Sequence, residues 1–244
     1  MVFAPLLAAP VLMWLASWVE RRLGPAVGGA VAAMPFAITL IVVALGAEGP
    51  AVAESAAAHV VAQVAFAVAF ARVIVRRGSL LGVAAAAVAF AAVSLLVALV
   101  PAWVAIACAV PALLAKIKVP GTSRFEGEPL DARVGAGVVT AIVGCALVVA
   151  EVSGPELAGI VAAFPTLSAT FALLVARSRG VAAAASALGG LIVGLRGYLA
   201  FCVVVAVTGS VVLGLLAVAA MNVTAAWSLR LHVTSADRGR AELA

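Results

Sequence analysis

Glu54, His59 and Gln63 stand five and four residues apart. On a helix His59 and Gln63 share a face, and Glu54 lies within a turn and a half of His59. A carboxylate and an imidazole at that spacing suit proton coupling, because histidine titrates near neutrality; the other reading is a hydrogen-bonded packing histidine with Glu54 at the outer surface. Arg196 sits inside a long apolar stretch, where a charge is costly and usually pairs or lines a cavity. It is either an anion-binding or gating charge, or a side chain that snorkels about ten residues, ~15 Å, to an interface.

A second group of residues acts through the backbone. GPAVGGAVAAMPF at 24–36 and GPELAGIVAAFPT at 154–166 share seven identities in the first twelve positions at a shift of 130: Gly24, Pro25, Gly29, Val31, Ala32, Ala33 and Pro35 match Gly154, Pro155, Gly159, Val161, Ala162, Ala163 and Pro165. Gly-Pro suits a helix start, since proline in the first turn lacks a donor that would be unpaired anyway. Gly28, Gly29 and Ala32 or Ala33 then offer a small face for close helix approach. Pro35 and Pro165 fall about ten residues further on, where each removes a hydrogen bond and frees a carbonyl. The pair therefore reads as two broken or kinked helices whose freed groups line a midplane site, or as proline and glycine serving packing alone.

Hydroxyls near these prolines are Thr39 in the first copy and Thr166, Ser168 and Thr170 in the second. Most hydroxyls in membrane helices bond back to their own backbone; Thr166, directly after Pro165, is the expected exception. No histidine pair with metal spacing, nucleophile turn or phosphate-cradling loop is present, so neither an enzyme nor a metal or other cofactor is expected. Cys108, Cys145 and Cys202 lie in apolar segments without partner spacing and read as small packing residues.

The elements that must carry these residues are membrane helices. Of 244 residues, 66% are hydrophobic and 10% charged, and the mean hydropathy is +1.29; such a chain has too little polar surface for a soluble globule. Apolar runs closed by glycine, proline or charge predict nine spans near 2–19, 25–46, 52–75, 79–99, 102–117, 134–150, 155–176, 181–206 and 210–229. Strand-period alternation does not extend over a whole segment, which disfavours a barrel. The amino terminus lacks basic residues before its apolar run and has Arg21 and Arg22 after it, so it is expected to remain as the first span. The net charge of +5 reflects arginine and lysine kept on the cytoplasmic face, and no nucleic-acid partner is implied.

The likeness continues beyond the proline motif. At a shift of 131, Ser55 matches Ser186, Ala69-Phe70 matches Ala200-Phe201, and Gly78-Ser79 matches Gly209-Ser210. This predicts an all-α polytopic protein with a 4+1+4 plan: a four-helix unit at 1–100, a linker helix and cytoplasmic loop at 101–133, a second four-helix unit at 134–230, and a cytoplasmic tail at 231–244. An odd linker helix inverts the second unit, so equivalent loops should swap charge. They do: Glu20-Arg21-Arg22 faces Ala150-Glu151-Val152, Arg76-Arg77 faces Val207-Thr208, and Glu48 faces Arg177-Ser178-Arg179. By the positive-inside rule the amino terminus is expected outside and the carboxyl terminus in the cytoplasm. The polar segment 118–133 reads as a solvated connector and the tail as disordered.

Ala158-Gly159-Ile160, Phe164-Pro165-Thr166 and Gly180 after the Arg177–Arg179 loop resemble the GlpM family of small bacterial inner-membrane proteins. Those are half-length, with about four spans. The likeness covers the second unit well and the first through Gly29 and Pro35, where Met34-Pro35-Phe36 replaces Phe-Pro-Thr. The resemblance implies a bacterial inner-membrane location and a four-helix unit, here fused in tandem, and it brings no biochemical activity.

The function expected from these features is a small secondary transporter or exporter. Its anionic or zwitterionic solute would bind near Gly29, Pro35, Gly159, Pro165, Thr166 and Arg196, with Glu54 or His59 coupling protons. The alternatives are a structural or accessory protein of envelope biogenesis, and an ion channel. The expected partners are the lipid bilayer and a small solute, with room left for a homo-oligomer.

Overall fold

A computed structural model describes residues 3–114, 160 and 163–221. The expected span 134–150, the polar segment 118–133, the tail 231–244, Gly159 and Cys145 lie outside the described residues. Within them the chain is helical, without a strand. The helices are α1 (Phe3–Leu23), α2 (Pro25–Ala32), α3 (Phe36–Leu45), α4 (Gly49–Ala58), α5 (Val60–Arg77), α6 (Ser79–Val97), α7 (Ala102–Ala112), α8 (Thr166–Arg179), α9 (Val181–Thr208) and α10 (Val211–Met221), with a 3-10 turn at Gly46–Glu48.

Three of the described helical stretches are long and apolar enough to cross a membrane, namely Pro25–Val43, Ser79–Val97 and Val181–Thr208. The bent pair Gly46–Ala58 and Val60–Arg77 makes four if it counts as one span. These apolar helices are consistent with a membrane protein. Large side chains such as Leu80, Val88 and Leu95 on α6 and Val212 and Leu216 on α10 are exposed, as helix faces turned to hydrocarbon would be.

Several expected spans differ in shape from the continuous rods that hydropathy suggests. The segment 25–46 is divided at Ala33–Pro35 into α2 and α3, and the segment 155–176 is interrupted at Phe164–Pro165 before α8. The segment 52–75 begins earlier, at Gly49, and bends by 41° at His59. The described part of 102–117 is helical to Ala112, with Leu113 as its C-cap, just after Pro111.

Helix junctions are tight because glycine makes them. Gly78 and Gly180 each join two helices alone, with φ 84 and 86 and ψ 177 and 170, a region of backbone space essentially reserved for residues without a Cβ.

The α9 helix is the axis of the core. It packs against α2, α4, α5 and α8, and buries Ala184, Leu188, Leu191, Leu195, Phe201, Cys202 and Val205 among its neighbours. Its contact with α2 is backbone on backbone. A Cβ on Gly29 would lie 1.9 Å from the Ala187 carbonyl oxygen, one on Gly190 1.8 Å from that of Ala26, and one on Gly194 2.4 Å from that of Ala30. Around it, α6 lies on α5 with Gly82 against Phe70 and Ile74, and α10 lies on α9 with Gly214 against Phe201 and Val205.

Two contacts define the ends of this bundle. Glu20 near the end of α1 pairs with Arg179 at the end of α8, Nε to Oε1 2.7 Å; Gly209 after α9 approaches Pro50 at the start of α4. The turns after α1 and α8 therefore share one end and the turns before α4 and after α9 share the other. Trp18 lies half-open at the first end with the Arg22 guanidinium 5.5 Å from its ring centre, an arrangement suited to a membrane interface.

Neighbouring glycines on α9 provide a test of the α2 contact. Gly190→Ala is expected to destabilise the protein by about 1–3 kcal/mol or more through overpacking, since the new methyl meets backbone. Gly189 has nothing within 4 Å of its missing Cβ, so Gly189→Ala is expected to be neutral or to stabilise by up to about 1 kcal/mol through helix propensity. Thermal unfolding in detergent separates the two, and equal effects would remove the α2–α9 contact as the explanation.

Candidate functional site

Each proline break is built the same way. Pro35 has φ −77 and ψ 34 and Pro165 has φ −80 and ψ 57; the Phe36 N–H reaches the Met34 carbonyl at 2.8 Å, and the Thr166 N–H reaches the Phe164 carbonyl at 2.8 Å. These are inverse γ-turns centred on proline, whose ring already holds φ near the required value. The next helix restarts at once, with Thr39 N–H on Pro35 O at 2.9 Å and Ala169 N–H on Pro165 O at 2.8 Å.

A helix that stops inside the core leaves its last carbonyls in need of donors. At the end of α2 one donor comes from the other break: buried Ser168, on the first turn of α8, donates its Oγ hydrogen to the Ala32 carbonyl at 3.3 Å. Gly28 completes the approach by leaving room for the Phe171 ring and the Glu20 stem. Phe164, at the second break, enters an edge-to-face aromatic group with Phe66 at 5.8 Å and Phe90 at 5.1 Å. Pro35 and Pro165 are buried and Thr166 is half-buried. Thr39 bonds back to the Pro35 carbonyl at 2.5 Å.

The hydroxyl that links the breaks is thus that of Ser168, where the sequence favoured Thr166. Three hydroxyls crowd the first turn of α8, and which one faces α2 depends on how the γ-turn resets the helix.

Arg196 lies away from this link. Its side chain is half-buried, and Nη2 donates to the Leu113 carbonyl at 3.3 Å. Leu113 is the C-cap of α7, so the guanidinium complements the negative end of that helix. One of five donor hydrogens makes this bond, and the fork keeps capacity for an acceptor group.

His59 occupies the bend. Its ring Nδ1 lies 2.7 Å from the Ser55 carbonyl, which also accepts the His59 backbone N–H at 3.2 Å. Two hydrogens drawn to one carbonyl distort the helical ladder, a recognised cause of bending. The bond requires Nδ1 to carry the hydrogen, leaving Nε2 as a lone-pair nitrogen; it is buried without a partner among the described residues. Glu54, on α4, is half-buried and forms no ion pair with His59 or Arg196 among the described residues. Glu54 and His59, expected to suit proton coupling by their spacing, are thus not joined as an ion pair among the described residues.

Instead, one turn beyond His59, Gln63 lies beside Tyr198 of α9, whose hydroxyl also neighbours the Cys202 thiol. His59, Gln63, Tyr198 and Cys202 are 5%, 3%, 6% and 0% exposed. Tyr198 Oη, like His59 Nε2, is left without a hydrogen bond of good geometry. Sequence reasoning passed over Tyr198. Its signal was available: it is the single tyrosine of the chain, set in an apolar helix where a phenol needs a partner.

No family model, curated protein or solved structure matches this chain. Among the described residues no group of three His, Cys, Asp or Glu could hold a metal ion. The features that bear on function are the two breaks, the Arg196 cap and the α5–α9 seam.

Loss of the link between the breaks is measurable. Ser168→Ala leaves the Ala32 carbonyl without that donor and is expected to cost about 1–3 kcal/mol, read as a lower unfolding midpoint in detergent. Thr166→Ala is expected to cost less than half as much; the reverse order would assign the link to Thr166.

Proposed function

We propose that this chain is a small secondary transporter or exporter of a bacterial cytoplasmic (inner) membrane. It moves a small anionic or zwitterionic solute by alternating access between two inverted four-helix units, 1–100 and 134–230. The observation that carries the reading is the Ser168–Ala32 hydrogen bond, which joins two proline breaks of matching geometry. Helices broken at paired positions and meeting one another are the recurring device by which inverted-repeat transporters expose backbone groups to a solute.

Three further features support it. Gly82 with Phe70 and Ile74 has its counterpart in Gly214 with Phe201 and Val205. The Glu20–Arg179 pair brings together the two turns that the charge swap assigns to one face; with Arg21, Arg22 and Arg177 at that end, the positive-inside rule makes it cytoplasmic and the amino terminus external. The GlpM resemblance fits a tandem of four-helix units. Arg196 supplies the preference for an anionic group through the donors that its bond to Leu113 leaves over, and Glu54 or His59 would couple protons as the seam opens. The chain is read as a non-enzyme without a cofactor.

The test is solute uptake in proteoliposomes, screened over organic anions and zwitterions by isotope flux. Arg196→Ala is expected to reduce uptake at least tenfold while the elution profile and helical circular dichroism are kept. Arg196→Lys retains the charge at α7 but loses the planar fork, and is expected to keep the fold with intermediate uptake. Undiminished uptake by Arg196→Ala would take Arg196 out of the solute path, and absence of flux for every solute class would overturn the transport reading.

A further inference from the structure

We propose that the seam between α5 and α9, lined by His59, Gln63, Tyr198 and Cys202, binds uncharged hydroxyl or amide groups of a small solute. The inference deepens the transport reading and rests on it in one respect: the seam must open to water during the cycle.

Two unmet hydrogen-bonding atoms carry the argument. Among the described residues His59 Nε2 is buried without a partner, and Tyr198 Oη, beside Gln63 and Cys202, is buried without a hydrogen bond of good geometry, both on side chains more than nine-tenths buried. Leaving such groups dry carries their full desolvation penalty, and buried polar groups in proteins almost always find a protein, water or ligand partner. Gln63 lies one turn from His59 on α5 and beside Tyr198 on α9. The set offers a fixed acceptor at Nε2, a hydroxyl that donates and accepts, and a carboxamide that does both. That is the complement of an alcohol or an amide.

Charge is kept out of the seam. The charged residues of α5 are Arg72, Arg76 and Arg77 toward its end, all exposed, and the charged residue of α9 is Arg196. Arg196 precedes Tyr198 by two positions, about 200° around the helix, and is turned to Leu113 of α7. Glu54 belongs to α4 and is part-exposed. While His59 is neutral, a carboxylate or ammonium drawn into the seam would meet no counter-ion among the described residues, a penalty large enough to exclude it. Any charged group of the solute is thus left to Arg196, and its hydroxyl or amide groups to the seam.

Cys202 is a built-in reporter. In a chain carrying Cys108→Ser and Cys145→Ser, it is the remaining thiol, and a hydrophilic methanethiosulfonate reagent modifies it only where water reaches. In proteoliposomes Cys202 is expected to be labelled. Glycerol or urea should slow labelling at least threefold, and sodium sulfate of equal osmolarity should not. Tyr198→Phe removes one oxygen and is expected to abolish the protection while labelling persists; Gln63→Leu, judged by the same monodisperse elution, is the second variant.

Absence of labelling overturns the proposal, as does protection that survives Tyr198→Phe and Gln63→Leu. Labelling that neither glycerol nor urea slows means that water alone fills the seam, and overturns it equally. Protection without solute flux would sink the transport reading and leave the site, whereas flux without protection would do the reverse.

Discussion

The contact on which the structure depends is the approach of α2 to α9 without side chains between them. Gly29, Gly190 and Gly194 place bare Cα positions against the carbonyl oxygens of Ala187, Ala26 and Ala30. In hydrocarbon, helix association gains little from water release, so close van der Waals contact and weak Cα–H···O bonds carry more of the energy. The contact also fixes everything attached to it. Ala30 and Ala33 touch Gly194, so the end of α2, and therefore the first break, is held at a fixed height on α9. Ser168 then reaches the Ala32 carbonyl only because that carbonyl is held there.

Breaking helices in such a setting leaves backbone groups to be paired. Each γ-turn returns one hydrogen bond across its proline, and the following helix restarts on the proline carbonyl. What remains is met from elsewhere: Ser168 at α2, and Arg196 at the end of α7. Both donors come from the part of the chain beyond residue 160 and both acceptors from the part before 115. The two halves are thus tied at their helix ends, where unpaired carbonyls would otherwise demand water that a membrane interior does not supply.

The helix starts and the two proline breaks were legible in the sequence because their causes are local. Gly-Pro, an internal proline and a lone glycine between apolar runs act through the backbone within a few residues. The bend at His59 was not legible, because it arises from a rotamer that brings Nδ1 to the Ser55 carbonyl; neighbouring residue types do not dictate that choice. The cap on α7 was hidden for a different reason: Leu113 and Arg196 are 83 positions apart, and a mid-helix arginine carries no address for its acceptor. Even the internal sequence likeness misleads by one residue. A shift of 131 pairs Gly82 with Leu213, yet Gly214 does the equivalent work, because Gly209 adopts φ 69 and ψ 1 and α10 starts one position later than α6 would suggest.

The positions matched by the shift of 131 also differ in what they carry. At the shift of 131, His59 corresponds to Gly190 and Gln63 to Gly194. On α9 those positions are bare, and α2 lies directly on them; on the α4–α5 pair they carry an imidazole and a carboxamide. A helix cannot approach those two as closely as α2 approaches the glycines. On the α9 side the contact is backbone on backbone, at Gly190 and Gly194. The α4–α5 side has a bend, a histidine at the bend and a polar seam. The two matched segments thus pack differently because side chains stand on one where the other carries glycine.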